Sequence, residues 1–176
     1  MDVTWLLHQI FGLDRPPRSP DRCPQPLVKV SRRSVSQHAT GVVSAVLTRL
    51  TEVRYEQLTE AQRSAWLIAT YDRTIQNEGH QQYFSVFGVG RASEVQAALE
   101  VLGARAHVRV LHDAIERYMS IPGESGFVGL PLVTQSLVPP QYVEQDAAYR
   151  NLSAITSRLL QDLILRGLTD FVEVEG

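Results

Sequence analysis

Glu78 and His80 stand two residues apart in the run Asn77-Glu78-Gly79-His80-Gln81-Gln82-Tyr83-Phe84. A carboxylate and an imidazole at that spacing can exchange protons near neutral pH, where histidine titrates. Asn77, Gln82 and Tyr83 place amide and hydroxyl groups beside aromatic rings, the makings of a small polar pocket. The same residues also read as a solvated turn. In that reading Asn77 and Gly79 tolerate the left-handed backbone that ends a helix, and Gln82 and Tyr83 satisfy buried backbone groups. No residue is assigned a catalytic role on this pattern.

Other chemistry is sparser. His112 and Glu116 are one helical turn apart and would make half a metal site. No third and fourth ligands stand at a matching spacing, so neither a metal nor another cofactor is expected. Gly88-Val89-Gly90 opens a helical stretch as phosphate-binding loops do, but Ser93 replaces the third glycine and no strand precedes it. Gly123-Glu124-Ser125-Gly126-Phe127 differs from a nucleophile elbow at Phe127, where a glycine is needed. Asn151-Leu152-Ser153 matches a glycosylation acceptor but falls within a helical pattern.

These residues must be held by helices. Val35, Ala39, Val42, Val43, Val46, Leu47, Leu50 and Val53 recur at steps of three and four, which predicts a helix over 35–53 with Ser34 or Ser36 as its cap. A second helix runs over 60–77, opened by a capping box of Thr59 and Gln62. A short helix over 80–87 follows, broken by Gly88 and Gly90. Ser93 and Gln96 suggest a second capping box for a helix that Gly103 stops, and helical spacing resumes from Ala104 to about Met119. The last long helix spans about 145–166, with Ala148, Leu152, Ile155, Leu159 and Leu163 inward and Gly167 at its end. The tail Asp170-Phe171-Val172-Glu173-Val174-Glu175 alternates acidic and apolar residues.

Two segments lack this pattern. Residues 3–11 read as a short amphipathic helix, followed over 14–31 by five prolines, a linker composition. Residues 121–143 carry four prolines and three glycines yet are apolar, with Phe127, Leu130 and Leu132 available to pack on the core or to meet a partner. The expected organisation is an all-α chain of about six helices, with an amino-terminal arm over 1–33 and one helical domain over 34–176.

With 44% hydrophobic residues the chain can bury a substantial core. Its net charge of −2 predicts neither nucleic-acid binding nor strong repulsion from it, and no direct binding of nucleic acid is expected. Residues 1–40 hold six basic and three acidic side chains, a net +3, whereas residues 41–176 are −5. Lys29 is the one lysine and Cys23 the one cysteine. No intrachain disulfide can form, and no signal peptide or membrane-spanning run is evident, which suits a cytoplasmic protein.

The run from Asn77 to Phe84 resembles a helical domain family named for bacterial DNA-mimic proteins. The family pattern is a helix ending in Asn-Gly-Gly-Phe, then Gln-Tyr-Phe, then a helix ending in Leu-x-x-Ile-Gly-Ala. Asn77, Gly79, Gln82, Tyr83 and Phe84 match it, as do Leu99, Gly103 and Ala104 downstream. Asp146, Tyr149 and Leu152 resemble the start of the family's last helix. The likeness covers about residues 40–166. Glu78 stands in place of a glycine and His80 in place of a phenylalanine, which puts an ionisable pair at the turn.

The resemblance implies a bacterial protein that is not an enzyme and binds another protein. A DNA mimic spaces carboxylates like backbone phosphates, about one charge per 1.7 Å of duplex axis, and occupies the basic surface of a DNA-binding protein. A regulator or an immunity protein fits the same implication, as does a homodimer. The acidic surface expected for such a partner is Glu144, Asp146, Asp162, Asp170, Glu173 and Glu175, since residues 141–176 hold six acids against three bases. The alternative is a small hydrolase or ligand-binding protein with its pocket at Asn77, Glu78, Gly79, His80, Gln82 and Tyr83.

Overall fold

A computed structural model describes residues 26–120 and 142–175. Among them are eight α-helices and one two-stranded sheet. The order is β1 (Val28–Ser31), α1 (Arg32–Gln37), α2 (Ala39–Leu50), a 3-10 turn (Tyr55–Gln57), α3 (Glu60–Asn77), α4 (Gly79–Val101), α5 (Arg105–Ser120), α6 (Val143–Arg150), α7 (Ser153–Arg166), α8 (Leu168–Phe171) and β2 (Val172–Glu175). The fold is all-α in character, as the helical periodicity predicts.

The apolar stripes meet in two adjoining clusters. Ile68, Tyr71 and Ile75 of α3 pack on Tyr83, Phe84, Val95 and Leu99 of α4, Leu111 and Ala114 of α5, and Tyr149 of α6. Val42, Val43, Val46 and Leu50 of α2 pack on Ile164, Phe171 and Val172. A fully buried side chain of this size contributes about 1.5–3 kcal/mol relative to exposure, so these two clusters hold the helices together. Helix α3 carries residues into both, with Ala65 in the second cluster and Ile68 in the first.

The capping box at α3 forms: Gln62 N donates to Thr59 Oγ1 at 3.3 Å and Thr59 N to Gln62 Oε1 at 3.1 Å. The Gln62 amide also donates to the Asp170 carbonyl at 2.6 Å, tying α8 to the start of α3. Ser93 does not cap. It lies inside α4 and its hydroxyl donates to the Val89 carbonyl, while Gln96 bonds Glu100. The only interruption of α4 among the described residues is Gly88, at φ 69° and ψ 177°, a conformation essentially confined to glycine.

Helix boundaries differ from the periodicity in two places. The stretch expected as one helix over 35–53 divides at His38, whose ψ of 44° ends α1, and Ser31 rather than Ser34 or Ser36 is the cap. The helix expected over 145–166 divides at Asn151 and Leu152 into α6 and α7. The buried line of α7 is Thr156, Leu160 and Ile164, and Ala148 and Ile155 are exposed. The alternating tail becomes β2, paired in parallel with β1 in the register Val28↔Val172 to Ser31↔Glu175. The short helix expected over 3–11, most of the proline-rich linker, Cys23 and the apolar loop residues Phe127, Leu130 and Leu132 lie outside the described residues.

No helix among the described residues is long and apolar enough to cross a membrane.

Candidate functional site

The corner between α3 and α4 is built on Gly79. Its φ of +83° lies in the region that side chains rarely adopt, and it starts α4 directly after Glu78. The turn delivers His80 into the core, where it is fully buried. Both ring nitrogens are bonded there. His80 Nδ1 lies 2.5 Å from Asp146 Oδ1, and Nε2 lies 2.7 Å from the Tyr71 hydroxyl. The His80 backbone N–H donates to the same Asp146 oxygen at 2.9 Å. Burial holds the Tyr71 hydroxyl well above its ordinary range, so it stays protonated and can donate to or accept from Nε2. Nδ1 carries the proton shared with Asp146, because an ionised carboxylate only accepts.

Asp146 sits in the first turn of α6, a position favourable for a carboxylate near the positive end of the helix dipole. Burial alone would raise its pKa. The hydrogen bonds from the His80 side chain and backbone, together with Arg150, more than offset that and hold the carboxyl below its ordinary value. Asp146, Gly79, His80 and Tyr71 therefore pin α6 against the α3–α4 corner. Aromatic rings close the network: Tyr71 meets Tyr83 and Tyr149 edge-on, each at 4.9 Å between centroids.

A second polar group lies deeper along α3. Asp72, Gln76, Tyr149 and Thr156 are electrostatic neighbours, and Thr156 continues to His107 through a 2.9 Å contact between its hydroxyl and Nε2. The geometry is loose. Asp72 Oδ1, Gln76 Nε2 and Tyr149 Oη are buried without a partner at full hydrogen-bond geometry. Burial raises the Asp72 carboxyl, against the lowering effect of its polar neighbours. Burial also lowers His107, partly offset by the Leu152 carbonyl.

The structure separates Glu78 from His80, because the first points to solvent and the second into the core. Asn77 is exposed, Gly79 and Tyr83 are buried, and Gln82 is half-buried. Asn77 is the last residue of α3 and not its cap; Glu78 takes that place, its N–H donating to the Thr74 carbonyl. Glu78 and His80 therefore do not converge, and His80 serves the core.

The expected acidic surface is also redistributed. Asp146 turns inward, with a side chain only 20% exposed. Glu173 and Glu175 flank Lys29 across the strand pair, at 3.0 and 3.9 Å. Asp162 lies 3.8 Å from Arg166, and Asp170 is half-buried. Glu144 is exposed and forms no ion pair among the described residues, and the same holds for Glu78. His112 and Glu116 form an exposed pair at 3.3 Å, and no cluster of three metal-binding side chains occurs among the described residues.

Sequence reasoning singled out His80 and Asp146 but not their bond, and it passed over Tyr71 and Asp72 as helix residues. The signal available was the position of Asp146 at a helix start, where a carboxylate often has a structural task.

No curated protein and no solved structure shows significant similarity to the chain. The family described as DMP19-like protein matches over residues 56–164, the stretch that carries the α3–α4 corner, α5 and the Asp146 anchor, and the chain belongs to that family.

Proposed function

We propose that the chain is a protein-binding module that engages a basic protein, such as a DNA-binding regulator, through the acidic α3–α4 corner. The observation that carries this reading is the pair Glu78 and Glu144. Both are exposed and neither has an ion pair among the described residues; Glu78 directly precedes Gly79 and His80, which meet Asp146, and Glu144 stands two residues before Asp146 in α6. A surface that attracts a basic partner needs carboxylates that its own arginines have not neutralised. Glu173, Glu175 and Asp162 meet that need less well, since Lys29 and Arg166 already engage them.

The internal use of His80 supports the same reading. Its imidazole is engaged in holding α6 against the α3–α4 corner, a structural task. The family's description fits a module of this kind.

Affinity capture tests the proposal. The tagged full chain is expected to retain a basic protein from its own cell lysate at low salt and to release it at high salt. Glu78→Gln with Glu144→Gln is expected to weaken capture about tenfold. Capture that ignores both salt and the two substitutions would overturn it, as would recovery of the chain alone at low salt.

A further inference from the structure

A groove of about 550 Å³ runs between α2, α3 and α7, and neither Glu78 nor Glu144 lines it. That volume falls within the range of small-molecule sites, about 300–1,000 Å³. Its apolar surface comes from Leu47, Trp66, Ala69 and Leu160. The Trp66 indole is held in place by Tyr55, at 5.1 Å between centroids, and by Phe87, at 6.5 Å. It is a fixed flat wall.

Three of the hydroxyls that line the groove have their protons engaged. The hydroxyls of Thr48, Thr51 and Ser157 donate to carbonyls of their own helical segments, those of Ser44, Thr48 and Ser153. Their protons are used, so they offer only lone pairs to a guest. Asp72 adds a carboxylate to the lining, with Gln76, Tyr149 and Thr156 as its polar neighbours on the inner side. A carboxylate at the wall of a groove favours a cationic guest. Arg73 is the one cation lining the groove among the described residues, and it is exposed.

A groove that offers acceptors, a carboxylate and a flat apolar wall matches a donor-rich cation on an apolar body. We propose that this groove binds a small organic cation, an amine or amidine, with its charged head at Asp72 and its apolar part against Trp66 and Leu160. The site is separate from Glu78 and Glu144, so it stands whether or not the partner reading holds.

The test uses the full chain with phenethylamine and benzamidine as probes. Their neutral counterparts, 2-phenylethanol and benzamide, serve as controls. Binding is followed by amide and indole NMR shifts, with Trp66 distinguished from Trp5 by Trp5→Phe. Saturable shifts are expected at Trp66, at residues 69–73 and at residues 157–161, with the cations bound at least about tenfold more tightly than their neutral counterparts. Asp72→Asn is expected to erase that preference, and Ala69→Leu, which fills the groove, to remove binding of all four probes with the amide spectrum otherwise preserved. Equal affinity for charged and neutral probes would overturn the proposal. So would shifts that map elsewhere, or no saturable shift up to about 10 mM.

Discussion

A Cβ placed on Gly79 would come within 2.5 Å of Asp146 Oδ2. The glycine thus meets two demands at once: a φ of +83° and the close approach of the Asp146 carboxylate from α6. Gly103 has a similar φ of +69° but nothing within 4 Å of its Cβ position. The two glycines therefore separate backbone strain from crowding. Gly103→Ala is expected to cost about 1–2 kcal/mol from strain alone. Gly79→Ala is expected to cost a further ~1–3 kcal/mol because it displaces Asp146 from its donors. Urea unfolding of both variants checks the difference.

Acid should weaken the same corner. Against the raising effect of burial, hydrogen bonds from His80 hold the Asp146 carboxyl below its ordinary pKa in the folded state. Its stabilising effect is therefore complete above the unfolded pKa and is lost as pH falls through the folded value. Stability measured from pH 5 downward is expected to drop below about pH 4. Asp146→Asn is expected to flatten that part of the drop, leaving a variant less stable at neutral pH.

The buried imidazole needs its second partner. Tyr71→Phe keeps the ring that packs on Tyr83 and Tyr149 but leaves His80 Nε2 without the hydroxyl at 2.7 Å. A loss of about 1–3 kcal/mol is expected, the usual cost of an orphaned buried polar atom. A Tyr71→Phe variant as stable as the parent would show that the hydroxyl contributes nothing net.

Asp72 should behave in the opposite sense to Asp146. Its folded-state pKa is raised by burial, so the ionised form is penalised at neutral pH. That penalty fades as pH falls through the raised value and is absent below the unfolded pKa. Asp72→Asn is therefore expected to stabilise the fold at pH 7, with the gain shrinking toward zero by about pH 3. A carboxylate kept at a cost to stability fits a binding role, and unchanged stability at pH 7 would remove that support.

Gln62 links a local signal to a distant one. It completes the capping box with Thr59 and holds the Asp170 carbonyl at 2.6 Å. Gln62→Ala is expected to cost about 1–2 kcal/mol through the lost cap and the unpaired carbonyl. Amide exchange at residues 168–172 is expected to accelerate more than exchange in α5.

Features set by neighbouring residues were legible in the sequence. The Thr59–Gln62 box, the glycine at the α3–α4 corner and the apolar stripe of α2 each depend on a few consecutive positions. The stripe of α7 was less so. Its buried line includes Thr156, whose hydroxyl meets His107 and the Leu152 carbonyl. A polar residue in a core position is invisible to hydrophobic periodicity, so attention fell on Leu159 and Leu163 instead. The divisions at His38 and Asn151 lack a proline or glycine to mark them. Pairing of β1 with β2 and of His80 with Asp146 joins segments far apart in the chain, and nothing in local composition reports such contacts. The candidate site was named in its parts and not in its wiring.

Gly79 lacks a side chain because Asp146 occupies that space to hold His80. A double-mutant cycle between Gly79→Ala and Asp146→Ala tests it most directly. The two substitutions are expected to be strongly non-additive, with Gly79→Ala costing about 1–3 kcal/mol less when Asp146 is already removed. Additive losses, with Gly79→Ala equally costly in both backgrounds, would contradict the claim.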